Sequence, residues 1–268
     1  MEKAYKNEEF LMSRDARALR ILSEYIEPQS RFARYHVQDT VVFFGSARAL
    51  PMEQAEKALA EAKAQGDAGI VERAESVVRL ARYYEDARAL ARMMTEWSKS
   101  QSKSSRRFLV CSGGGPGIME AANRGASEAH GISIGLGISL PFEASTNDYI
   151  TREMQFEFHY FFMRKFWFVY LAKALVVFPG GFGTMDELFE LLTLVQTQKS
   201  SKHMPIILYG REFWSDVLKL DALIKWGTIS AGDLALFHIA DKPEEAFEYL
   251  KHELHTLYGA KDSEVPSV

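Results

Sequence analysis

Residues 176–192 read VVFPGGFGTMDELFELL, and how this stretch is parsed decides the fold. The apolar run ending at Phe178 has strand character. Gly180, Gly181 and Gly183 make a tight turn, and Leu188, Leu191, Leu192 and Val195 then recur at helical spacing. The unit is a strand, a glycine turn and a buried helix. Such a turn lets a ligand approach the main chain, and the free N–H groups of the first helical turn, together with the helix dipole, favour an anion. Thr184 followed three residues later by Glu187 has a local explanation, the capping box, in which each side chain satisfies an orphan N–H of the helix start. The sharper alternative places the Glu187 carboxylate at the rim of the core beside that anion site, where it can do chemistry. Asp186, about 100° further round the helix, is expected to serve the dipole alone.

The same pattern occurs upstream. CSGGGPGIMEAA, from Cys111 to Ala122, follows a strand and opens a helix, and TVVFFGS, from Thr40 to Ser46, is continuously apolar like a strand buried on both faces. Further strands are expected in residues 132–140, 149–158, 205–210 and 234–240, with helices at 160–172, 212–226 and after Asp241. This alternation predicts an α/β, Rossmann-like, doubly wound, mostly parallel sheet with helices on both faces. Ligands then belong beyond the carboxyl ends of the strands, where the glycine turns lie. Neither turn is a Walker A loop, and neither completes GxGxxG with a later ribose-binding acid, so the expected ligand is a mononucleotide.

The 268 residues are read as one domain, with a helical N-terminal extension at 1–36 and a helical insertion at about 51–105, broken near AQGDAG. The polar run 98–107 is expected to be a mobile loop. A net charge of −4 gives no basis for binding a nucleic-acid polymer. Cys111 is the only cysteine, so no internal disulfide can form, and no ligand cluster at metal spacing is visible. No metal and no cofactor are therefore expected. The charged start, MEKAYKNEEF, is unlike a signal peptide, and no run is long enough to cross a membrane; the expected location is cytoplasmic.

The segment FHYFFMRKFWFVY, from Phe158 to Tyr170, is densely aromatic at helical spacing, as a core or subunit-contact helix would be. Arg164 and Lys165 interrupt it. Charges in so apolar a helix either snorkel to the surface or meet partners in a polar cleft, and Arg164 paired with Glu187 or a ligand anion is the second case. Both this helix and the one from Thr184 to Gln196 are apolar round most of their circumference, which points to a homodimer or a multiple of one.

At these residues the sequence resembles the LONELY GUY (LOG) phosphoribohydrolases, often labelled as possible lysine decarboxylases. PGGFGTMDE matches the family's PGGxGTxxE, MRK at Met163–Lys165 its arginine–lysine helix, SGGGPGIMEAAN its earlier glycine turn and FFGSA its first strand. The helical insertion and the pattern LPFEASTNDYI look like a longer bacterial subgroup. The resemblance implies hydrolysis of the N-glycosidic bond of a nucleoside 5′-monophosphate, AMP or a cytokinin riboside monophosphate, by a dimer or larger assembly. It implies Arg164 and Glu187 as the catalytic pair. Gly45, Ser46, Gly113, Gly114, Gly115, Lys165, Pro179, Gly180, Gly181, Gly183 and Thr184 would bind the substrate. Two other readings are a non-catalytic carrier of a phosphorylated cofactor, which molybdenum-cofactor carriers resemble, and a pyridoxal phosphate enzyme with Lys165 as the Schiff-base lysine.

Overall fold

The computed structural model describes residues 3–101, 106–139, 146–199 and 203–259. Two helices, α1 (Glu8–Met12) and α2 (Arg17–Arg34), precede the first strand, β1 (Thr40–Phe44). A helical hairpin, α3 (Met52–Gln65) and α4 (Ala68–Gln101), then crosses to β2 (Leu109–Ser112). The hairpin bends at Gly66, a left-handed C-cap with φ +76°, where the sequence places a break. There follow α5 (Ile118–Glu128), β3 (Ser133–Ile138), β4 (Gln155–Phe158), α6 (Phe161–Leu171), β5 (Ala172–Val177), α7 (Phe182–Gln196) and β6 (Ile206–Tyr209). The chain closes with α8 (Arg211–Val217), α9 (Leu220–Lys225), β7 (His238–Ala240) and α10 (Pro243–Tyr258).

All seven strands run parallel, in the order β4-β3-β2-β1-β5-β6-β7. β1 is apolar at nearly every position because both its faces are covered. Val42 and Phe44 join a core with Phe32 of α2, Trp167 of α6 and Leu188 of α7, while Val41 and Phe43 join another with Leu90 of α4, Ile118 of α5 and Leu250 of α10. The chain winds outward from β1 to β4 and returns through α6 to place β5 on the other side of β1. The strand order therefore reverses between β1 and β5, and the turns leaving those two strands meet at the switch point.

Three expectations are adjusted. The polar run 98–107 is not all loop: α4 continues to Gln101, Ser98 is buried with its Oγ donating to the Arg107 carbonyl (2.6 Å), and Trp97 stacks on Phe108. Residues 102–105 of that run lie outside the described residues, as do 140–145 of LPFEASTNDYI. The expected helix 212–226 is divided between α8 and α9, because Leu218 turns extended. The last strand shrinks to three residues, since Ala231–Leu236 forms a 3-10 turn closed by its own Ser230–Asp233 capping box. Among the described residues, no helix is long and apolar enough to cross a membrane.

Candidate active site

Three turns at the carboxyl edge of the sheet are joined through their main chains. Phe178 N–H donates to the Phe44 carbonyl (2.8 Å), Ser46 N–H to the Pro179 carbonyl (2.9 Å), and Ile118 N–H to the Ser46 carbonyl (3.0 Å). The turn after β1 is thus held between those after β2 and β5. Gly117 has φ +72°, and a Cβ there would fall 2.2 Å from the Ser46 oxygen, so only glycine permits this junction. Ile118 packs over Gly45, and Ser46 Oγ accepts the N–H of Arg48.

The two glycine turns are not equivalent. In the turn after β2, Gly114 N–H donates to Ser112 Oγ (3.0 Å) and Ile118 N–H is already engaged. Met119 lies along Gly113 and Gly115, its Sδ and Cε at 2.7 and 2.9 Å from where their Cβ atoms would be. This turn is mainly a tight connection. The turn after β5 is open instead: no side chain caps α7, and Gly181, Phe182 and Gly183 are exposed, with space around both glycines. An anion can reach the first-turn N–H groups there. Thr184 packs back on Gly180, where a Cβ would sit 2.1 Å from Thr184 Oγ1.

That packing also corrects the capping-box reading. The helix begins at Phe182 with Gly181 as N-cap, so Thr184 already lies inside the first turn and cannot cap it. Glu187 is released from any capping duty. It lies on the buried stripe with Thr184, Leu188 and Leu191, only 6% exposed, and its Oε1 is 3.6 Å from Nη2 of Arg164. Burial drives the Glu187 carboxyl from its ordinary 4.5 to about 7, against the opposing pull of Arg164 and Lys165 and with the help of Glu190 and Asp186. Arg164 is itself largely buried, lies over the rings of Phe161 and Phe168, and brings Nη1 to 4.0 Å from the Cβ position of Gly113. It links the turn after β2 to the acid on α7.

Lys165 neither snorkels nor stays with Arg164. Its ammonium meets Asp186 (2.7 Å) and Glu190 (2.9 Å) across the α6–α7 contact. Asp186 therefore does more than serve the dipole. Burial alone would lower the Lys165 amine, but hydrogen bonds to those two acids outweigh it and hold it above the usual lysine value. With its ammonium engaged by two carboxylates, Lys165 is not presented as a free amine for a Schiff base.

Sequence reasoning missed the residues that shape the turn from a distance. Asn147 N–H donates to the Gly114 carbonyl (2.8 Å). Its side-chain amide reaches the carbonyls of Gly114 and Gly115 and Asn123 Oδ1 (each 3.0 Å), while Asn123 accepts from Ser112 Oγ (2.7 Å). Nothing in the local pattern around Asn123 or Asn147 signals these partners. Among the described residues, no three His, Cys, Asp or Glu side chains come together as metal ligands would.

Fold and site together define a Rossmann-like α/β protein with an open helix N-terminus and a buried Arg–Glu pair at its switch point. Residues 119–250 match the model of the family described as "Possible lysine decarboxylase", the one this chain's motifs resemble. The match takes in α6 and α7. A pyrimidine/purine nucleotide 5′-monophosphate nucleosidase of Escherichia coli strain K12 is 30% identical over 127 residues, which are 43% of this chain and 27% of that protein. The chain thus spans only about a quarter of that relative's length. Among solved structures, a molybdenum cofactor binding protein from Rippkaea orientalis is 18% identical, with a TM-score of 0.48 over 80% of this chain and 96% of that one. A Moco carrier protein from Chlamydomonas reinhardtii is 19% identical, with a TM-score of 0.46 over 82% of this chain and 99% of that one.

Proposed function

We propose that this chain hydrolyses the N-glycosidic bond of a nucleoside 5′-monophosphate, AMP or a modified adenine nucleotide, to free base and ribose 5-phosphate. The observation that carries the reading is the Glu187 carboxyl: buried, titrating near neutrality beside Arg164, and about one helical turn from an uncapped, exposed helix start. Phosphate on the N–H groups of α7 anchors the nucleotide by charge and dipole, and fixes the ribose so that its anomeric carbon meets the acid. As the C1′–N bond breaks, its electron pair leaves with the base and positive charge grows on the ribose. Glu187 in its ionised form stabilises that charge and takes a proton from the attacking water, whose hydroxyl joins C1′; the departing base takes up one proton from solvent, and Glu187 gives its own back to solvent. Arg164 orients the carboxylate or the ribose hydroxyls. The family match over residues 119–250 and the name of the Escherichia coli relative support this choice of substrate class.

The test is a panel of nucleoside 5′-monophosphates and the matching nucleosides, with base release followed by chromatography. AMP cleaved far faster than adenosine is the expected result. Equal turnover of both removes the phosphate role, and tight binding of nucleotides with no base released from any of them favours a carrier.

A further inference from the structure

Arg164 is placed by a residue from outside the sheet. Glu24 lies on α2, in the N-terminal segment, and touches α6 at both ends of the turn that bears Arg164. Its two carboxylate oxygens accept the main-chain N–H groups of His159 (2.8 Å) and Tyr160 (3.2 Å), and its main-chain carbonyl accepts the indole N–H of Trp167 (3.0 Å). Tyr160 is the N-cap of α6, and its carbonyl receives the N–H of Arg164 (3.2 Å). Tyr160, whose N–H is held by Glu24, thus begins with its own carbonyl the hydrogen-bonded turn that ends at Arg164, while Trp167, three residues further on, is tied to the same glutamate. Tyr25 packs on Phe166 and Trp167, and Phe32 on Trp167, so the grip of α2 continues along the helix.

We infer that Glu24 is a positioning residue of the candidate site: by fixing the start and middle of α6, it sets the approach of the Arg164 guanidinium to Glu187. The inference rests on the proposed function only for its kinetic consequence. At 3.6 Å the Arg164–Glu187 contact lies just beyond hydrogen-bond distance, so a shift of α6 by a fraction of an ångström changes the attraction directly. The charged groups facing Glu187 are Arg164 and Lys165 from α6 and Asp186 and Glu190 from α7. Lys165 is held by Asp186 and Glu190, so a displacement of α6 reaches Glu187 chiefly through its contact with Arg164.

The experiment compares the full-length wild type with Glu24→Ala and Glu24→Gln. The Glu187 titration is read from carboxyl ¹³C NMR, its signal assigned by the Glu187→Gln protein. Loosening α6 weakens the attraction of Arg164, so the Glu187 pKa should rise by about half a pH unit or more in Glu24→Ala. The rise should be smaller in Glu24→Gln, whose amide oxygen keeps one acceptor. Where base release is measurable, kcat should fall roughly 10- to 100-fold, with KM changed far less. A Glu187 titration unmoved in folded Glu24 variants, or KM and kcat changing together with stability, would show that Glu24 is scaffold only and overturn the inference. Should Glu24→Ala not fold, Glu24→Gln carries the same comparison. Should the wild type release no base, the proposed function fails, yet the NMR comparison still decides the role of Glu24.

Discussion

Replacing Glu187 by Gln should abolish hydrolysis and at the same time flatten the stability of the protein against pH. Gln keeps the shape of the protonated acid and cannot ionise. In the wild type the folded-state carboxyl titrates at about 7 instead of 4.5, chiefly because burial penalises the charge. A raised folded pKa means that the native state binds the proton more tightly than the unfolded chain. Stability from this group is therefore fully present below about pH 4.5 and is lost as the pH rises through 7. Integrating the two titrations gives a loss of roughly 2–3 kcal/mol between pH 5 and pH 8, present in the wild type and absent from the variant. The attraction of Arg164 acts only on the ionised acid and is already contained in the folded pKa, so it adds no separate contribution to the comparison. For a chain of this size the difference in Tm between variant and wild type should grow by about 5–10 °C from pH 5 to pH 8. Differential scanning calorimetry over that range reads it directly. Parallel Tm profiles would mean that Glu187 is ionised through the whole range and is not the poised acid described above. Base release should fall roughly 10²- to 10⁴-fold in the same variant, the usual contribution of a general acid–base group; retained turnover would remove Glu187 from the chemistry.

Three further outcomes follow from other parts of the molecule. Gly181→Asp places a carboxylate at the uncapped start of α7, where nothing obstructs it, so Tm should rise by the equivalent of a few tenths to 1 kcal/mol while KM for nucleotides rises at least about 10-fold; an unchanged KM would place the phosphate elsewhere. Asp39, almost wholly buried at the opposite edge of the sheet, accepts the Phe108 N–H and pairs with Arg107 at 3.2 Å, so Asp39→Ala should cost about 3–5 kcal/mol in urea denaturation without altering KM. Exposed Phe161, Phe162, Phe166 and Phe189 on α6 and α7 fit the proposed homodimer, and sedimentation of wild type beside Phe162→Glu should show a dimer that dissociates in the variant; a wild-type monomer would mean that the proposed association does not occur.

The parts of this structure that could be read in the sequence are those whose physics is local. TVVFF can only be a strand covered on both faces, and glycine turns that follow strands and open helices place their residues at the carboxyl edge of the sheet. Arg164 and Glu187 stood out because a charge in an apolar helix needs a partner. The phase of the α7 start was not legible: T-x-x-E fits a capping box equally well, and what shifts the helix start to Phe182 is the packing of Thr184 on Gly180 and the hydrogen bond from Ser46 to Pro179. Lys165 was grouped with Arg164 by adjacency, yet neighbouring residues on a helix point about 100° apart, and the two side chains meet different acids. Asn147, Asn123, Met119 and Glu24 act on elements distant in sequence or through turn geometry, and a single sequence carries no signal for such partners.

The most direct test of the central claim is base release from AMP by the wild type and by Glu187→Gln at matched nucleotide occupancy, with occupancy set by calorimetry and the products separated by chromatography. The Arg164–Glu187 site predicts adenine and ribose 5-phosphate in equal amounts from the wild type and essentially none from the variant, although both bind AMP. Equal amounts of adenine from the two proteins, or none from a wild type saturated with nucleotide, would contradict it.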